Sequence, residues 1–153
     1  MSNLRLFILL TLISVVIACS STEDTSGLDV DLDDLTGLWD SSEKQGNKTD
    51  IIYTRVTSEG EIIEYDFDGD AVDQGLDCYQ IESGSIKSLT ANRFMVNADM
   101  HAKQFEVELE LRDDGHALKI YFMDEKDPSK TLESQIWTRE SDTSILDDEP
   151  SCK

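Results

Sequence analysis

The run Phe105-Glu106-Val107-Glu108-Leu109-Glu110-Leu111 constrains this chain more than any other segment. Its strict alternation puts four apolar side chains on one face of an extended strand and three glutamates on the other. Such a strand has one dry and one wet face, the usual arrangement in antiparallel sheets. Less regular runs of the same kind occur at Asp50–Thr57, Glu61–Phe67, Leu76–Glu82, Ser85–Thr90, Arg93–Asn97, Ala117–Met123 and Thr131–Arg139. Short turns at Ser58-Glu59-Gly60, Ser83-Gly84, Ala91-Asn92 and Asp113-Asp114-Gly115 are predicted to join them. With Leu35–Ser41 the count reaches about nine strands, and no window after residue 20 carries a helical stripe. The expected fold is all-β: a small antiparallel up-and-down meander, closed into a barrel or strongly curled, with a β-sandwich as the alternative. A barrel would remove the edge strands that otherwise invite aggregation.

The ends of the chain are different in kind. Residues 1–18 place one cation, Arg5, before the apolar stretch Leu6–Ala18. Thirteen helical residues span roughly 20 Å, short of the ~30 Å hydrocarbon core. A short apolar core behind a positive start, ending in a small residue, reads as an export signal. Its exit, Val16-Ile17-Ala18-Cys19, resembles the lipobox of bacterial lipoproteins. The resemblance implies cleavage before Cys19, diacylglycerol on the Cys19 sulfur and a further acyl chain, such as palmitate, on the new N-terminus. Several chains anchor durably where one is marginal. Ser20 rather than Asp follows, which in that family implies onward travel to the outer membrane. The membrane is therefore an expected partner through lipid, not through protein.

Cysteine parity follows from that resemblance. With Cys19 lipidated, Cys78 and Cys152 remain in an exported, oxidising compartment, where a disulfide between them is expected and two free thiols are the alternative. Residues 19–34, with six acids and no base, read as a lipidated tether, since they bury too little to offset their ordering entropy. Residues 35–139 form the expected β domain and residues 140–153 an acidic tail.

At the start of that domain Leu35-Thr36-Gly37-Leu38-Trp39 resembles the Gly-x-Trp opening of lipocalins and smaller lipocalin-like domains. In that family the Trp closes one end of the barrel, often beneath an Arg of the last strand. The last strand here ends Ile136-Trp137-Thr138-Arg139, so the resemblance implies that Arg139 stacks on Trp39. The domain is shorter than a full lipocalin and no helix is expected after the barrel. Tyr53, Tyr65, Phe67, Phe94, Phe105 and Phe122 are the candidates to face inward.

The stretch Asp66 to Tyr79 is rich in aspartate. Asp66, Asp68, Asp70 and Asp73 around Gly69 resemble Asp-x-Asp-Gly-Asp loops that wrap Ca²⁺. An EF-hand does not fit: Asp77 stands where the twelfth-position Glu belongs, and Gly falls at the fourth position. The other reading is an acidic turn without a metal, because Asp and Gly suit turns on their own.

Composition narrows the function. Of 153 residues, 33 are acidic and 13 basic, for a net charge of −20. Nucleic acid is excluded as an expected partner, because its phosphates are met by clustered Lys and Arg. No nucleophile elbow, phosphate loop or His-Glu-x-x-His occurs, and His101 and His116 are expected at exposed strand ends. The expected role is non-catalytic: a lipid-anchored module binding a small apolar ligand or an envelope component. A filled-core protein-interaction module is the alternative.

Overall fold

A computed structural model of the protein describes residues 29–69, 75–99, 103–147 and 150–152. Its strands are β1 (Gly37–Asp40), β2 (Glu43–Gln45), β3 (Lys48–Asp50), β4 (Ile52–Val56), β5 (Glu61–Phe67), β6 (Tyr79–Thr90), β7 (Arg93–Ala98), β8 (Lys103–Arg112), β9 (Ala117–Asp124) and β10 (Asp127–Glu140). From β5 to β10 each strand pairs antiparallel with its predecessor, and β1 joins β10 to β4, closing an eight-stranded up-and-down barrel. The barrel is compatible with a lipocalin-like architecture, and the sandwich alternative falls away. No helix among the described residues is long and apolar enough to cross a membrane.

The alternating run of β8 sets the polarity of the wall. Val107 and Leu109 are buried in the core, with Phe105 and Leu111 packed against it. On the outer face Glu106 and Glu108 meet Arg93 at 3.0 and 3.5 Å, and the Tyr121 hydroxyl donates to Glu110 at 2.7 Å. On this strand an apolar inner face and a charged outer face are the reverse of a membrane-spanning strand, whose lipid face is apolar.

Three elements differ from the sequence reading. First, the expected turn at Ser83-Gly84 is the middle of β6, which merges two expected strands into one of twelve residues. A Cβ at Gly84 would stand 2.4 Å from the Asn97 carbonyl oxygen of the neighbouring strand, so glycine here permits a close backbone approach rather than a turn. Second, the gap between β1 and β4 holds a small hairpin, β2–β3, whose turn uses Gly46 at φ +69°.

Third, a short helix, α1 (Leu32–Leu35), precedes the barrel. Aspartates read as tether make its capping box: Asp34 N–H donates to Asp31 Oδ1 at 3.1 Å, and Asp31 N–H to Asp34 Oδ2 at 3.0 Å. Val30 N–H donates to the Asn92 side chain at 2.6 Å. Val30 and Leu35 are buried in the core cluster with Trp39, Val56, Ile86 and Phe94. The structured domain therefore begins before Leu35, and its first residues plug one end of the barrel.

Removing that plug should be costly. A chain starting at Leu35 should unfold at lower denaturant than one starting at Asp29, by about 3 kcal/mol for lost apolar burial and a lost cap. Equal midpoints in urea would place the boundary back at Leu35.

Candidate functional site: a barrel cavity with an acidic end

The plugged end is held by one side chain. The Arg139 guanidinium lies over the Trp39 ring, 4.2 Å from its centroid, and donates to the carbonyls of Asp34 (2.6 Å), Thr36 (2.8 Å) and Gly115 (3.0 Å). The Trp39 indole N–H donates to the Leu35 carbonyl at 2.8 Å, so the fully buried ring leaves no polar atom stranded. Gly37 has φ +139°, and a Cβ there would meet Arg139 Nη1 at 2.8 Å. That positive φ, which side-chain-bearing residues rarely adopt, is the physical reason for glycine two residues before the tryptophan, and the guanidinium uses the space it leaves.

Above the plug the barrel encloses a cavity of about 320 Å³. Leu35, Val56 and Ile86 line it near the plug, and Phe105, Val107 and Phe122 line its wall. Phe105 and Phe122 pack together, with centroids 5.7 Å apart. At the other end the lining turns polar: Glu64, Glu82, Glu43, Thr54 and Gln135. Glu43 comes from the β2–β3 hairpin, and its carboxylate accepts from the Gln135 amide, whose oxygen accepts from Trp137 Nε1 at 3.3 Å. Thr54 is fully buried and shares a 2.8 Å hydrogen bond with Ser41.

Glu64 on β5 and Glu82 on β6 are cross-strand partners. Like charges in that relation destabilise a sheet. Burial pushes the Glu64 carboxyl up to about 7, and the charges of Glu82, Asp66, Glu43 and Asp50 add to the shift.

Alternation along β4 and β5 also sorts the aromatic residues. Ile52, Thr54 and Val56 line the cavity, as do Ile62 and Glu64. The intervening Tyr53, Tyr65 and Phe67 therefore point outward, not inward as expected. They surround buried Tyr79, with ring centroids 6.5, 6.2 and 5.3 Å away. Phe94, Phe105 and Phe122 do face the interior. Sequence reasoning missed Glu64 and Glu82; the signal was the register of Ile62, which puts every second residue of β5 inside.

The C-terminal segment is pinned beside the outer aromatic group. Cys78 and Cys152 form a disulfide, with Cα atoms 5.0 Å apart. Tyr79 N–H donates to the Pro150 carbonyl, and Cys152 N–H to that of Tyr79, both at 2.9 Å. Buried Asp68 has a carboxylate oxygen 3.4 Å from the Cys152 sulfur. Asp68, Cys78 and Cys152 form a compact group of metal-ligand types, but oxidised sulfurs carry no thiolate to bind a cation. Of the calcium candidates, Asp70 and Asp73 lie outside the described residues. Asp66 extends along β5 within the barrel wall, whereas Asp68 packs against the disulfide. Cys19 and His101 also lie outside the described residues, and His116 is exposed at the plugged end. No protein-family model, curated protein or solved structure matches the chain.

Two expectations follow from this geometry. The raised Glu64 pKa means that folded protein holds a proton that unfolded protein releases. Its stability contribution is full below the ordinary glutamate pKa near 4.5 and is lost as pH rises through about 7. Thermal melts of wild type and Glu64→Gln should therefore diverge from pH 5 to pH 8, the variant gaining on the order of 3 kcal/mol. Parallel curves would mean that Glu64 is solvated. Separately, Cys78→Ser with Cys152→Ser should lower stability by about 2–4 kcal/mol in denaturant titration; no change would leave the bridge without a constraining role.

Proposed function

We propose that this protein is a lipid-anchored envelope lipoprotein whose barrel binds a small, largely apolar ligand without chemical change. The cavity carries this reading. Well-packed cores leave few voids larger than a water molecule, yet this lumen keeps about 320 Å³ open among mostly apolar side chains. That volume stands at the lower end of ordinary small-molecule pockets, which combine apolar walls with a few placed polar groups. It favours a ligand-binding role over a filled-core interaction module.

The anchoring half of the proposal rests on Val16-Ile17-Ala18-Cys19 and on the export-type segment before it. The charged outer wall around Glu106, Glu108 and Arg93 agrees with a domain that stands in water beside the membrane. On this reading lipid at Cys19 supplies the attachment to the bacterial outer membrane, and the barrel supplies the binding.

Both halves are testable in the native host. Cells fed an alkyne-tagged fatty acid should label the wild-type protein and not Cys19→Ala; equal labelling overturns the anchor. Native mass spectrometry of the delipidated domain should show an added small-molecule mass that Val107→Trp, which fills the cavity, loses. An adduct unchanged in that variant, with the strand signature of its circular dichroism intact, would place the ligand elsewhere.

A further inference from the structure

We propose that the cavity selects an amphipathic cation, a short apolar body carrying one protonated amine, with the amine seated between Glu64 and Glu82. The proposal rests on the ligand-binding reading and assigns the chemical class of the ligand.

The cavity has two chemical halves in fixed order. Phe105, Val107 and Phe122 offer an apolar wall, whereas Glu43, Glu64 and Glu82 line the end remote from the plug. Among the described lining residues there are no Lys, Arg or His side chains. A ligand carboxylate or phosphate would meet three acids of its own sign, an arrangement that rejects it. An uncharged ligand would cover the Glu64 carboxyl without replacing the water it loses, which is unfavourable for a buried polar group.

A cation answers both problems. Glu64 and Glu82 face one another across adjacent strands, so their carboxylates can approach one small ion from two sides. An ammonium has three donors and no acceptor, matching oxygens that only accept when ionised. Glu43 is already held by Gln135 and fixes the position of the hairpin above them. Among the described residues none donates a hydrogen bond to Glu64, and its raised pKa reflects burial among acids rather than pairing. Hydrogen bonds between ionised partners are roughly twice as strong as neutral ones, so the amine end should dominate selectivity while the apolar wall sets the size.

The test is calorimetric titration of the intact domain with octylammonium, 1-octanol and octanoate. Physiological ionic strength limits diffuse attraction to exposed acids. Octylammonium should bind at least about tenfold more tightly than octanol, and octanoate more weakly than either. Glu64→Gln and Glu82→Gln should each reduce octylammonium affinity by about tenfold while sparing octanol. The charge-matched single controls Glu59→Gln and Asp114→Asn, each exposed in a turn at the plugged end, should change neither. Equal affinity for amine and alcohol, or equal loss in either control, overturns the cation assignment but leaves a binding cavity standing. Failure of all three probes, with the barrel folded, instead overturns the ligand-binding reading on which the assignment rests.

Discussion

Everything in this fold depends on a four-residue strand. Among the described residues Gly37–Asp40 is the only segment that pairs with both β10 and β4, and without it the meander is an open sheet with two edges. Four residues are little to hold a closure. The strand is reinforced because Trp39 is at once a rung of the wall and the floor of the lumen. Arg139, its partner on β10, covers the ring and ties together three backbone segments that enter the plugged end. Closure of the wall and closure of its end are one interaction.

That coupling explains how the interior is divided. Near the plug, Trp39, Leu35 and Phe94 exclude solvent almost completely. Further up, the lining remains apolar but no longer fills the width between the strands, and the space persists. Gly84 belongs to the same region: it brings two backbones together where a side chain would force them apart. The C-terminal disulfide acts on the outside, tying the tail to the start of β6, so it steadies the wall without occupying the lumen.

The architecture was largely legible in the residues, because alternation in Phe105–Leu111 fixes both strand and face. The Gly-x-Trp opening and Arg139 gave the two ends of the closure. The plug was not legible: Val30 lies in a short run of alternating Leu, Val and Asp, and only its tertiary contact with the Asn92 turn makes those aspartates a cap instead of a tether. The inner face of β5 was misread for a related reason. Ile62-Ile63-Glu64-Tyr65-Asp66-Phe67 offers one apolar face (Ile63, Tyr65, Phe67) and one mixed face (Ile62, Glu64, Asp66), and hydrophobicity alone favours turning the apolar one inward. The C-terminal segment provides the aromatics with an outer shelter around Tyr79, which a local pattern cannot reveal. His101, the lipobox and half of the aspartate loop lie outside the described residues, so their sequence readings stand as expectations.

The failure on β5 is informative because of what it conceals. A chain this acidic has many places to put glutamates in water, and β8 does so three times in succession. Glu64 and Glu82 instead stand opposite one another inside a barrel, where burial raises the Glu64 pKa and each charge opposes the other. Replacing Glu64 by an uncharged isostere would relieve its burial among like charges without opening a void, so packing gives no reason for that carboxyl. Local choices that conflict with the rest of a fold tend to mark functional sites, and here the conflict has a sign. Negative charge gathered at one end of an apolar space is unfavourable when the space is empty and becomes favourable when a cation enters. The structural cost and the proposed selectivity are thus two consequences of one arrangement of carboxylates.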